Sequence, residues 1–248
     1  MVSRRIFADG PVLCGHRGSG AGVVDGQREN TLGSFRAAVD AGLRWVEVDV
    51  RTTADRVLVA SHDPVVADGR AISGLTAAET DGLGLMRLAD LLEELPAEVA
   101  IDVDVKTSLE DALLPRGETT AALVTDVLAG EARRRRVLAT SFDAAALLIV
   151  RERAPELPIG LLTWIQFPLR KAIPAAAHLG AEVVAAHVGS FAAAGMPPAW
   201  PIRVAHDAGL EVAVWCPEPE EAERFAAAGA DCLIVDEVPA AVRAAPVR

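Results

Sequence analysis

The stretch WVEVDVRTTADRVLVASH, residues 45–62, decides the fold. Its first half, Trp45–Val50, alternates apolar residues with acids and reads as a β-strand; its second, Val57–Ser61, reads as another. Only Arg51–Arg56 separate them, and a crossover between parallel strands needs a dozen or more residues. The two runs therefore form an antiparallel hairpin that turns near Ala54–Asp55. Facing residue numbers then sum to about 109, which sets His62 beside Glu47.

Working outward, further strand-like runs lie at Val12–Gly15, Ala100–Val105, Arg136–Thr140, Ile159–Thr163, Glu182–Ala186, Glu211–Trp215 and Asp231–Val235. Helical stretches alternate with them at Thr31–Ala41, Leu88–Leu95, Glu118–Ala129, Ala144–Ala154, Leu169–Leu179, Pro198–Ala208 and Glu218–Ala228. Gly42, Gly180, Gly209 and Gly229 stand where left-handed helix C-caps belong. This rhythm predicts a parallel sheet covered by helices. Setting aside the return run of the hairpin leaves eight parallel strands, an α/β fold of the (β/α)8 TIM-barrel class. A short hairpin and insertion, about residues 51–86, follows the second barrel strand. A doubly wound open sheet is the alternative, and the lack of GxGxxG after any strand counts against it. With no repeat, linker or composition break, residues 1–248 are expected to form one domain.

Apolar residues make up 51% of the 248, enough for one large core. The net charge of −11 counts against nucleic acid as a partner. It leaves a phosphate substrate open, because a bound cation reverses the local sign of a site. Cys14, Cys216 and Cys232 show no CxxC spacing and leave one thiol over in any pairing, so a reducing compartment is expected. Met1–Pro11 lacks an apolar run after Arg4 and Arg5, and no stretch resembles a membrane span. These features predict a cytoplasmic protein without stable membrane association; the oligomeric state is not legible. The basic run Arg133–Arg136, between a helix and a strand, is expected to be a solvated surface on the bottom of the barrel.

The C-terminal ends of barrel strands converge on one pocket. Here those ends carry Gly15-His16-Arg17-Gly18, Glu47-Val48-Asp49, Asp102-Val103-Asp104-Val105-Lys106, Trp164, His187, Trp215 and Asp236. Glu47 and Asp49 share a strand face, as do Asp104 and Lys106. Three inward carboxylates, Glu47, Asp49 and Asp104, make an oxygen-rich site suited to a divalent cation such as Mg²⁺ or Ca²⁺. The competing reading is a salt-bridge network with Arg17, Arg51 and Lys106. His16 and His62 reach the same mouth and suit general base and general acid, while Arg17 and Lys106 can neutralise phosphoryl oxygens. Asn30 or Thr31 caps the first helix, and Glu29 and Asn30 can also face the pocket. His187, Trp164 and Trp215 are candidate substrate-wall residues, although core packing explains the tryptophans nearly as well.

Gly15-His16-Arg17-Gly18, then Glu29-Asn30-Thr31-Leu32 with Phe35, resembles the opening signature of the glycerophosphodiester phosphodiesterases. The resemblance continues through Glu47-Val48-Asp49, His62-Asp63, Asp104-Val105-Lys106, Ser141-Phe142, Trp215 and Leu233-Ile234-Val235-Asp236. It implies a (β/α)8 barrel enzyme of lipid and glycerol metabolism, a phosphoric diester hydrolase releasing sn-glycerol 3-phosphate and an alcohol. It also implies His16 and His62 as the acid/base pair, Glu47, Asp49 and Asp104 as metal ligands, and Arg17 and Lys106 as phosphate contacts.

Three departures stand out. Asp104 replaces the usual Glu, Cys216-Pro217-Glu218 replaces Thr-Val-Asn, and Arg28 replaces a Pro. The insertion from Asp63 to Met86 is short and poor in aromatics, so small deacylated diesters are the expected substrates. The rival readings are a lysophospholipase D-type phosphodiesterase, disfavoured by the lack of a recognisable lipid-facing apolar loop, and a non-catalytic barrel that only binds glycerophosphodiesters.

Overall fold

A computed structural model describes residues 5–8 and 10–244. The reading of Met1–Pro11 as free of a leader falls partly on residues 1–4 and 9, outside those described.

Eight parallel strands form the wall: β1 (Val12–Gly15), β2 (Trp45–Thr52), β3 (Ala100–Val105), β4 (Val137–Ser141), β5 (Ile159–Thr163), β6 (Val183–His187), β7 (Glu211–Trp215) and β8 (Cys232–Val235). Each pairs with the next in chain order, and β1 pairs with both β2 and β8, closing the barrel. The open-sheet alternative is thereby excluded. A short strand, Leu58–Ala60, runs back antiparallel along the end of β2, as the length of Arg51–Arg56 demanded.

The register of that hairpin differs from the expectation by one residue. Val50 faces Ala60 and Thr52 faces Leu58. Thr53 N–H bonds the Val57 carbonyl at 2.9 Å, and Arg56 adopts a left-handed φ of 66°. The loop is thus three residues ending in a left-handed one, not a two-residue turn at Ala54–Asp55. Pairing ends at Ala60, so His62 does not sit beside Glu47.

Side chains alternate across each strand. One set, including Leu13, Val46, Val48, Val103 and Val214, packs against the surrounding helices. The other points down the barrel, with Val12, Trp45, Ala100, Leu138, Leu162, Ala185, Ala213 and Cys232 filling its lower part. Phe7 plugs the bottom, its ring 5.0 Å from Trp45, while Ile6 and Phe7 N–H groups donate to Glu211. The upper inward positions are those that turn ionic, so the sequence parity that builds the core also aims the acids into the mouth.

Gly42, Gly180, Gly209 and Gly229 all have positive φ at helix ends. Three short helices at Ala77–Gly82, Val188–Ala193 and Val238–Ala244, and a two-residue hairpin at Val23–Val24 and Gln27–Arg28, carry no pattern long enough to read in advance.

The basic run is exposed at Arg133, Arg134 and Arg136, as expected, and departs from the expectation at Arg135. Arg135 is buried, its guanidinium donating to the carbonyls of Leu92, Leu95, Pro96 and Val99 and to Glu131. It satisfies the C-terminal carbonyls of the helix Leu88–Glu94, which leads into β3. Arg135→Met is therefore expected to destabilise by about 3 kcal/mol, read from urea denaturation, because it strands those buried acceptors.

Candidate active site

The mouth is organised by the turn after β1. A Cβ on Gly15 would lie 2.0 Å from the Gly18 carbonyl oxygen, so the chain can fold back on itself only with glycine there. Within that turn Arg17 holds φ 52°, and Asn30 and Cys216 nearby hold φ 54° each. Such left-handed conformations in non-glycine residues concentrate at functional sites.

Glu47, Asp49 and Asp104 present carboxylate oxygens all within 4.8 Å of one another. Asp49 is the hub. Lys106 Nζ lies 2.9 Å from its Oδ1, Arg17 Nε 3.2 Å from its Oδ2, and Asn30 Nδ2 donates to Oδ2 at 2.9 Å. Lys106 also bonds Asp104, and Glu47 accepts from the Arg17 backbone N–H at 2.9 Å. Arg17 further grips Glu29 through Nη1 at 3.0 Å. Arg51 stays out of this network and donates to the carbonyls of His62 and Thr107.

The electrostatics are lopsided. Burial would raise the Asp49 carboxyl, but Lys106, Arg17 and the Asn30 amide outweigh it and hold it at about 2. Burial, followed by the charges of neighbouring acids, pushes Glu47 well up. Burial likewise raises Asp104 and lifts Asp102, one layer below, to about 8. Asp104 Oδ1 is buried with no hydrogen-bond partner among the described residues. Clustered acids with an orphan oxygen fit a hard divalent cation, which takes oxygen ligands.

His16 flanks this cluster. Asp236 Oδ1 lies 2.5 Å from its Nδ1, which leaves Nε2 facing Glu47 Oε2 at 3.9 Å. Cys216 Sγ sits 3.8 Å from the same Nδ1, and burial and the Asp236 charge push its thiol up. Asp236 stood among the strand ends in the sequence, but its pairing with His16 across 220 residues of chain was not visible there. Cys216, noted as a departure, was not seen as a neighbour of His16. Glu218 begins the helix Pro219–Ala227, its N–H donating to Glu221 at 3.2 Å.

His62 lies apart from the carboxylates, about half exposed, with Nδ1 2.8 Å from Asp63. It lines a cavity of about 460 Å³ together with Arg28, Glu29, Asn30, Val65 and Leu85. Asn30 lines this cavity and donates to Asp49, whereas Glu47, Asp49, Asp104 and His16 are not among the residues that line it. The short insertion thus walls a real space, which its composition did not reveal.

The opposite wall is aromatic. The Trp215 ring lies 4.8 Å from Trp164, 4.6 Å from His187 and 5.8 Å from Phe142, and Lys106 Nζ sits 5.4 Å from the Phe142 centroid. Trp215 is buried and donates Nε1–H to Thr163 O at 3.2 Å, whereas Trp164 is 42% exposed. His187 Nδ1 accepts from Gly189 N–H at 3.0 Å, and burial lowers its pKa, which favours the neutral ring.

Residues 16–240 match the sequence pattern of the Glycerophosphoryl diester phosphodiesterase family. A Mycobacterium tuberculosis protein named "probable glycerophosphodiester phosphodiesterase 2" is 34% identical over 89 residues, 32% of this chain and 33% of the relative. The corresponding "phosphodiesterase 1" of that organism is 29% identical over 63% of this chain and 66% of its own length. The alignments thus span from a third to about two thirds of these curated relatives. A crystal structure from Silicibacter pomeroyi bearing the family's name superposes with TM-score 0.78 at 26% identity, covering 95% of this chain and 94% of the other. An Oleispira antarctica phosphodiesterase, solved with sn-glycerol-3-phosphate, shares the fold with TM-score 0.80 at 22% identity, covering 97% and 99%.

Proposed function

The chain belongs to the glycerophosphoryl diester phosphodiesterase family, and from that premise we propose that it hydrolyses small glycerophosphodiesters to sn-glycerol 3-phosphate and an alcohol. The observation that carries this reading is His16 Nε2, held by Asp236, directly beside the three clustered carboxylates. The product bound to the Oleispira antarctica neighbour supports the same chemistry.

Glu47, Asp49 and Asp104 would hold the divalent cation, Mg²⁺ or Ca²⁺, which supplies Lewis-acid stabilisation of charge on the phosphoryl oxygens. His16 takes at Nε2 the proton of the glycerol hydroxyl that attacks phosphorus, the Asp236 carboxylate stabilises the imidazolium that results, and water then opens the cyclic phosphate to sn-glycerol 3-phosphate. His62, on the far wall and steadied by Asp63, returns a proton to the leaving alkoxide. Arg17 and Lys106 face the phosphate as fixed positive charge, with Glu29 and Asn30 setting their geometry. Trp164, Trp215 and His187 wall the substrate. The barrel and its insertion act as one catalytic unit, in the cytoplasm.

The test is release of glycerol 3-phosphate from glycerophosphocholine and glycerophosphoethanolamine, with EDTA or with each cation added. Cation-dependent release is expected; no release from folded protein with any diester and cation would refute the reading. The exposure of Trp164, Ile165 and Phe167 at the mouth favours one second reading, a lysophospholipase D-type activity, which lysophosphatidylcholine in the same assay resolves.

A further inference from the structure

A chain of net charge −11 has one long stretch nearly free of acids: between Glu156 and Asp207 the single acid is Glu182. That acid is held by Arg151 at 2.7 Å. Within this span Arg170, Lys171 and Arg203 are exposed. So are several large apolar residues: Trp164, Ile165 and Phe167 on the loop after β5, and Trp200, 50% exposed, at the start of the helix after β6. The helices Leu169–Leu179 and Ala199–Asp207 pack against each other. Each runs from the mouth end of the barrel back toward the next strand, which sets its first turn toward the mouth.

Scattered exposed apolar residues are ordinary, but several large ones gathered beside a functional opening mark a contact surface. We infer that the rim Trp164–Lys171, with Trp200 and Arg203, is a peripheral docking surface for the headgroup region of an anionic lipid bilayer. Tryptophan suits that boundary, with an apolar body for the acyl edge and an N–H for the wet side. Arg170 and Lys171 stand three and four residues after Phe167, where they would meet lipid phosphates. A second copy of the chain fits less well, since a self-complementary contact would set the exposed Arg170, Lys171 and Arg203 against the same basic residues of the other copy. Among the described residues no helix is long and apolar enough to cross a membrane, so the contact is interfacial. Resting on the proposed function, this surface would hold the mouth beside the bilayer whose lipids yield glycerophosphodiesters when they are deacylated.

The experiment is co-sedimentation with vesicles of phosphatidylcholine mixed with phosphatidylglycerol, read alongside tryptophan emission. Wild type is expected to sediment with these vesicles and to shift its emission to the blue. Arg170→Glu with Lys171→Glu is expected to lower partition by at least roughly 25-fold, taking about fivefold per basic side chain. Phe167→Ser with Trp200→Ser is expected to lower it by at least about tenfold. Wild type that binds no vesicle, or variants that bind equally well, would overturn the inference. So would a dimer seen by sedimentation velocity that the same substitutions abolish. Hydrolysis of soluble glycerophosphodiesters by the same samples tests the proposed function separately: vesicle binding with no release from any diester and cation would sink that reading and still support the docking surface.

Discussion

Replacing His16 with Asn is expected to lower glycerophosphocholine turnover about a thousandfold, within the range that a positioned general base contributes. The ring is held from one side only by a short contact to Asp236, so the freed Nε2 end is the reactive one. Asn is small enough to keep the local packing, and the fold should survive, since His16 sits at the mouth and not among the apolar residues lower in the barrel. Circular dichroism and the urea midpoint check that point. Asp236→Asn separates catalysis from positioning. It is expected to cost about a hundredfold in kcat with little change in KM, and to move the acidic limb of the pH–rate profile. A purely structural Asp236 would lower the amount of folded enzyme and leave the profile of the remainder unmoved. Near-normal turnover by His16→Asn would remove this residue from the mechanism and leave His62 to carry both proton transfers.

The barrel was legible because its evidence is redundant. Eight apolar runs, helices of the right length between them, and glycine at helix ends all state the same architecture. The hairpin followed from chain length alone. Its register did not, because it hangs on Arg56 adopting a left-handed φ that glycine would have advertised and arginine does not. In a strand, one residue of slip exchanges the two faces, so His62 was placed against the wrong neighbour. Residues two apart on one strand, such as Glu47 with Asp49, could be put on one face from sequence. The pairing of His16 with Asp236 could not, since it is made by closing the barrel between β1 and β8. Arg135 misled for the opposite reason: local composition marks a basic run as surface, and only the neighbouring helix end, with its unsatisfied carbonyls, explains the burial.

A saturating divalent cation is expected to raise Tm by about 5–10 °C at pH 8, and by far less at pH 5. Burial and then mutual repulsion raise Glu47 and Asp104, and burial carries Asp102 to about 8. A carboxyl raised in the fold favours the protonated folded state. Its cost is absent below the ordinary carboxylate range and grows as pH climbs toward the folded value. Ion-free protein should therefore lose stability between about pH 4 and pH 8. Asp49, held at about 2, works the other way: its contribution is present above the ordinary range and is lost only as pH falls toward 2. A cation relieves the first group by supplying the positive charge that Arg17 and Lys106 leave short, and at pH 5 protons already do part of that work. Asp49→Asn is expected to abolish the cation-induced shift, because Asp49 is the member ionised throughout this range. No shift at pH 8 with Mg²⁺, Mn²⁺ or Ca²⁺ would remove the cation from the site. A shift that survives Asp49→Asn would move it to the neighbouring group of His16, Cys216 and Asp236, whose ligand atoms also lie within 4.8 Å of one another. Such a site would occupy the nitrogen that Asp236 now orients, and proton transfer by His16 and binding of the metal would then exclude each other.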